Sequence, residues 1–135
     1  MNRNLVFVYG TLRRGASNHF RMKGSEWLGA GSVSGKIYEV NLNPEFIYPA
    51  LITAEEGEVI GDLFLVSDRM LAELDIFEGI SDDAAQPDEY RRIEVTVTLA
   101  DGREHTAYVW EWNRPLEKAR LLETGDWLAY EPDPS

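Results

Sequence analysis

Cysteine is absent from the 135 residues. That excludes disulfides, thiolate metal centres and cysteine nucleophiles together, and it suits a reducing compartment. Histidine occurs only as His19 and His105. A histidine-rich zinc site is thereby excluded, and a Ser-His-Asp triad would have two residues to draw on. The longest apolar run, Leu5 to Tyr9, falls far short of the roughly 20 residues a membrane-spanning helix needs. Met1 to Asn4 leads straight into that run, which is too short for a secretory signal core and is followed by no small-residue cleavage site. Basic charge is scarce: 13 Lys and Arg stand against 24 Asp and Glu, a formal net charge of −11. Such a surface repels phosphate backbones and anionic membranes and argues against both as partners, although solubility alone accounts for it. Neither a Walker loop nor Gly-x-Gly-x-x-Gly occurs, so nucleotide binding has no motif support. The expectation is a cytoplasmic protein with one domain over residues 1–130 and a frayed tail at 131–135.

What is present reads as globular. Hydrophobic residues make up 44% of the chain, and one domain of this length buries roughly 70% of its unfolded surface, enough for an ordinary core. No internal repeat divides the chain. Leu5 to Tyr9 reads as a strand covered on both faces. Gly10 to Gly15 is a turn bracketed by glycines, and a short helix capped by Ser17 or Asn18 runs through Phe20 and Met22. Trp27 to Val40 is Gly-rich and β-like. Residues 41–50, with two prolines, read as a loop. Glu58 to Val66 is a further strand. Ser67 caps a helix over Asp68 to Phe77, with Gly79 placed as its left-handed terminus. Ser81 to Glu89 reads as an exposed acidic loop. Alternation over Ile93, Val95, Val97 and Leu99, then Asp101-Gly102, then His105 to Trp112, is a hairpin signal. Leu116 to Tyr130 reads as a short helix or turn carrying Trp127. The sum is an α+β chain, a curved sheet or mixed β-barrel flanked by short helices.

Among the acids, Glu78 stands out because Leu74 and Leu71 lie four and seven positions before it, on one apolar helix face. Pointing inward there, at the helix C-terminus, a carboxyl meets desolvation and an unfavourable dipole. Both raise its pKa towards the range of a neutral-pH general acid/base. The alternative is a side chain that swings out to solvent, and periodicity alone favours it. Glu73 and Asp75 share the ambiguity. The Gly10–Gly15 turn can present successive N–H groups as an anion nest, with the Thr11 hydroxyl and the positive charges of Arg13 and Arg14 beside it. An ordinary glycine turn with two surface arginines is at least as compatible. His105 suits a cross-strand position, and His19 has no acidic partner nearby in sequence. Tyr90 opens the hairpin after the loop that follows Glu78, where its hydroxyl could reach the same cavity or simply end a strand.

Val6-Phe7-Val8-Tyr9-Gly10-Thr11-Leu12, with Gly15, resembles the first signature of the gamma-glutamylcyclotransferase-like family. Leu74-Asp75-x-Phe77-Glu78-Gly79 followed by Tyr90-x-Arg92 is similar to its second. Tyr48-Pro49-Ala50 and Gly125-Asp126-Trp127-Leu128 resemble further segments of bacterial members. The resemblance implies a compact mixed barrel flanked by helices. It implies an enzyme acting on a small-molecule γ-glutamyl substrate, with Tyr9, Gly10, Thr11 and Leu12 holding the α-carboxylate. Tyr90 would also bind substrate, and Glu78 would be the catalytic acid/base. The products would be 5-oxoproline and a free amine or amino acid, with no metal or redox cofactor required. The segment between Glu78 and Tyr90 is longer and more acidic than in typical members, which puts the place of Tyr90 in question. A non-catalytic module holding a small carboxylate in the same cavity is the alternative reading.

Overall fold

The computed structural model describes residues 3–16, 18–43, 46–78, 90–113, 116 and 119–130. β1 (Arg3–Val8) carries Val6, Phe7 and Val8, all at or below 3% exposure, because both of its faces are covered. It pairs antiparallel with β5 (Glu58–Ser67) in the register Val6↔Phe64. β5 pairs in turn with β2 (Glu26–Ser34), which meets β6 (Tyr90–Leu99) at Gly31↔Leu99. β6 forms the expected hairpin with β7 (Glu104–Trp112), and a parallel bridge from β7 to β1 closes a five-stranded barrel. In β6, Val97 and Leu99 are buried while Arg92, Glu94, Thr96 and Thr98 are exposed, as alternation predicts.

The prediction fails over residues 41–50. β3 (Lys36–Asn43) and β4 (Phe46–Ile52) form an antiparallel pair there. β8 (Ala119–Leu121) adds to the other side of β3, giving a second, three-stranded sheet in the order β4, β3, β8. Pro49 is tolerated because β4 lies at the sheet edge and loses no ladder bond by lacking an N–H. The β-like stretch expected over 27–40 is two strands parted at Gly35, whose φ is +146°. The helix or turn expected over 116–130 contains β8 and a four-residue α2 (Trp127–Tyr130).

Two apolar clusters use the two faces of the barrel wall. Phe7, Leu63, Val97 and Val109 lie in one, with Ile37, Leu51 and Trp127. Val6, Val8, Phe64, Val66 and Trp110 lie in the other, beneath α1 (Asp68–Phe77) and a 3-10 helix (His19–Met22). α1 starts where expected: the Ser67 side chain accepts from the Met70 N–H at 3.1 Å, a cap worth about 1 kcal/mol. Leu71 and Leu74 are its buried residues. Asn18 stands at the start of the 3-10 helix but caps it with no side-chain bond. The expected cap Ser17, the helix terminus Gly79, the loop 81–89 and the tail 131–135 lie outside the described residues.

Candidate active site

The loop leaving β1 is built as an anchored half and an open half. Arg13 N–H bonds back to the Gly10 carbonyl at 3.1 Å, closing a turn with Thr11 and Leu12 at its centre. Among the described residues, neither the Thr11 nor the Leu12 N–H donates a hydrogen bond. Two such donors in sequence are the elements of an anion nest. The turn is held from behind by Arg13, which is buried rather than on the surface. Its guanidinium meets Asp126 at 2.6 Å and the buried Asp62 at 3.4 Å, and Asp62 also accepts from the Arg14 N–H. Arg13 charge is thus neutralised inside the protein, and Arg14 is exposed with its guanidinium 4.1 Å from the Trp27 ring centre. Gly15 takes a φ of +87°, which its lack of a side chain permits. Gly10 is needed for another reason: a Cβ there would stand 2.5 Å from Pro49 Cγ.

Tyr9 and Tyr90 lock this loop to the edge strand. The Tyr9 hydroxyl donates to the Trp110 carbonyl at 2.7 Å and accepts from the Leu51 N–H at 3.3 Å, joining β1, β7 and β4. Tyr90 is buried, stands edge-on to Trp112 at 5.3 Å, and donates to the Pro49 carbonyl. Pro49 therefore touches Gly10 on one side and accepts from Tyr90 on the other. The long segment before Tyr90 does not remove its side chain from the neighbourhood of the first loop.

Glu78 terminates α1, its N–H bonded to Leu74 O at 2.9 Å. It is half-buried, which rules out a side chain wholly in bulk water. Burial, and next the charge of Glu78, push the Tyr9 phenol well above its ordinary pKa, against the opposing hydrogen bond from Leu51. The charge of Glu78 therefore acts on the residue that opens the Gly10–Leu12 turn. The other acids of the helix separate cleanly. Glu73 is exposed and pairs with Arg69 four residues earlier. Asp75 ties the helix to the hairpin, accepting from Arg92 at 2.6 Å and from Trp110 Nε1 at 2.9 Å. His19 holds the loop from below, its Nδ1 3.1 Å from the Leu12 carbonyl. His105 lies cross-strand from Val97, as expected.

Glu111 was missed by the sequence reading. This buried β7 carboxylate accepts from the Thr53 N–H at 2.7 Å, from the Thr53 hydroxyl, and from Arg91 at 2.6 Å. Burial alone would raise its pKa, but the Thr53 and Arg91 hydrogen bonds outweigh burial and hold it below the ordinary carboxylate value. Its only local signal is an acid inside an aromatic strand, Trp110-Glu111-Trp112. Among the described residues no group of three metal-ligating side chains forms, and no helix is long and apolar enough to cross a membrane.

The family model described as "Gamma-glutamyl cyclotransferase, AIG2-like" matches residues 6–129. The chain belongs to that family. A Vibrio cholerae protein, provisionally named a gamma-glutamylcyclotransferase, is 33% identical over 92% of this chain and 95% of its own length. The gamma-L-glutamyl-butirosin B gamma-glutamyl cyclotransferase of Niallia circulans is 31% identical over 93% of this chain and 76% of its own. The crystal structure of an AIG2-like protein from Mus musculus superposes with a TM-score of 0.74 at 23% identity, covering 98% of this chain and 92% of that one. The barrel with its second sheet is therefore the α+β fold of the family, and the family supports a cyclotransferase-type enzyme. The same fold recurs over 21% of the Kluyveromyces lactis allophanate hydrolase chain, at a TM-score of 0.72 and 13% identity. Fold by itself does not carry an activity.

Proposed function

We propose that the protein closes γ-glutamyl compounds to 5-oxoproline, with Glu78 as general acid/base. Two features support this reading together: a half-buried Glu78 whose charge adds to the upward shift of the Tyr9 phenol, and a turn starting at Gly10 whose Thr11 and Leu12 N–H groups find no acceptor among the described residues. The substrate's α-carboxylate sits on those two N–H groups. Glu78 takes a proton from the α-ammonium. The freed nitrogen lone pair attacks the γ-carbonyl carbon of the same glutamyl unit. As the five-membered ring closes, the C–N bond to the leaving amine breaks; Glu78 gives its proton to that amine and relays the second proton lost by the attacking nitrogen, so the ring keeps one N–H and the amine leaves as an ammonium. Substrate and products balance without a redox partner.

The site's main task is to fold a flexible chain into its reactive conformer, an effect worth up to about 7–11 kcal/mol. The turn and the edge strand, pinned by Tyr9, Arg13 and Tyr90, supply rigid walls for that purpose. Relatives named as gamma-glutamyl cyclotransferases, one of them for butirosin, place amine-type leaving groups in the panel to be tested. The test is incubation with γ-glutamyl amides of amino acids and of alkylamines, followed for 5-oxoproline. Ring closure on at least one class is expected. Calorimetric binding of these compounds with no 5-oxoproline release would favour a carboxylate-binding module instead.

A further inference from the structure

A cavity of about 380 Å³ opens between the 3-10 helix and β2, and Glu78, Gly10 and Tyr90 are not among the residues that line it. Its floor is Phe64 and Met22, both 2% exposed. Trp27 stands directly opposite Phe64 in the β2–β5 register and so shares that face, while Glu26, opposite Leu65, takes the other. Phe20 and Trp27, at 67% and 44% exposure, leave large ring surfaces in water. Arg14 is stacked on Trp27, Lys23 is on the rim, and the His19 ring lies tilted against Phe64 at 5.9 Å. A carbonyl only accepts, so His19 Nδ1 carries a proton to Leu12 O and fixes the ring.

The charge of this region runs against that of the chain. Residues 1–25 hold five Lys and Arg and no acid, so all 24 acids lie in the remaining 110 positions, with eight basic residues. Asp62 touches the groove through the Trp27 indole at 3.3 Å and shares the Arg13 guanidinium with Asp126, so one negative charge is left between the two carboxylates, with the Trp27 indole and the Arg14 N–H donating to Asp62. Among the described residues neither Arg14 nor Lys23 has a carboxylate partner. Exposed rings beside unmatched cations, over an apolar floor, suit a flat ring bearing one negative charge.

We propose that the groove between the 3-10 helix and β2 is a second, non-catalytic binding site for a small aromatic carboxylate. The ring lies against Trp27 and Phe20 over Phe64, and the carboxylate faces Arg14 and Lys23. The site does not depend on the proposed ring-closing activity, and its test reads binding alone. The probe is 1-naphthoate, titrated into the full chain by calorimetry, with the four indole N–H signals followed by NMR. Trp27 is the exposed tryptophan; Trp110, Trp112 and Trp127 are buried. One-to-one binding is expected, with the Trp27 signal, assigned from Trp27→Phe, moving most. The neutral alcohol 1-naphthalenemethanol should bind about tenfold more weakly. The double change Arg14→Gln with Lys23→Gln should cost at least about tenfold, while Arg14→Lys with Lys23→Arg retains binding. Glu78→Gln should leave naphthoate affinity unchanged, whatever it does to ring closure. Equal affinity for the alcohol, indifference to the double Gln change, or displacement of naphthoate by 5-oxoproline would overturn the assignment. So would tighter binding of the peptide Glu-Glu-Phe-Glu-Glu, which would make the groove a peptide-docking surface.

Discussion

The charges of Glu78 and Glu111 both push the Tyr9 phenol upward, yet the two acids sit in different settings. Glu111 sits in a strand, 3% exposed, with both oxygens engaged by Thr53 and Arg91. Its partners prefer the ionised form and would have to be broken to move its proton. Glu78 sits at the end of a helix, half-buried, on the face that Leu71 and Leu74 turn inward. Burial therefore does not by itself mark a reactive acid. A carboxylate saturated with donors is a structural tie, and the acid proposed for proton exchange is instead the one at the end of a helix.

The largest expected effect separates the two by activity. Glu78→Gln should lower kcat for 5-oxoproline release by about 10²–10⁴-fold, the usual worth of a general acid/base, with little change in Tm. Wild-type turnover in that variant would remove Glu78 from the mechanism. Glu111→Gln should do the reverse. It loses the charge-assisted bonds to Arg91 and should cost about 2 kcal/mol of stability, measured by urea unfolding, while turnover per folded molecule stays within a few-fold. Tyr9→Phe strips both groups of their shared neighbour and leaves the Trp110 carbonyl and Leu51 N–H unpaired. A cost of about 1–2 kcal/mol is expected. The smallest effect is in acid. The native Glu111 pKa lies below its unfolded value, so the stability it contributes is fully present above the ordinary carboxylate pKa of 4.5 and is lost as pH falls through the lower native value. The Glu111→Gln variant should show a shallower loss of stability below that pH, and an identical slope would contradict the assignment.

The parts of this protein legible in its sequence are those with local causes. The α1 helix announces itself by Ser67 and by the Leu71, Leu74, Glu78 spacing, and the β6–β7 hairpin by alternation around Asp101-Gly102, where Gly102 takes a φ of +89°. β4, β8 and the extension of β3 past Val40 were not legible because their pairing is tertiary. Asn and Pro in residues 41–50 speak for a loop, and only the edge position of β4 accommodates Pro49. The same holds at the site. Motif resemblance singles out Tyr9, Gly10 and Glu78, while periodicity alone favours a solvent-facing Glu78. The packing reason for Gly10 is not legible there, since it depends on Pro49, 39 positions away. Arg13 gives no sign in sequence that Asp62 and Asp126 will bury its charge. Those partners meet only when the barrel closes.

A crystal structure of the protein with 5-oxoproline shows whether the Gly10–Leu12 turn and Glu78 share one ligand. The product carboxylate is expected within hydrogen-bond distance of the Thr11 and Leu12 N–H groups, with the lactam nitrogen turned towards the Glu78 carboxyl. Product bound elsewhere, or bound at the turn with Glu78 directed into solvent, would contradict that expectation.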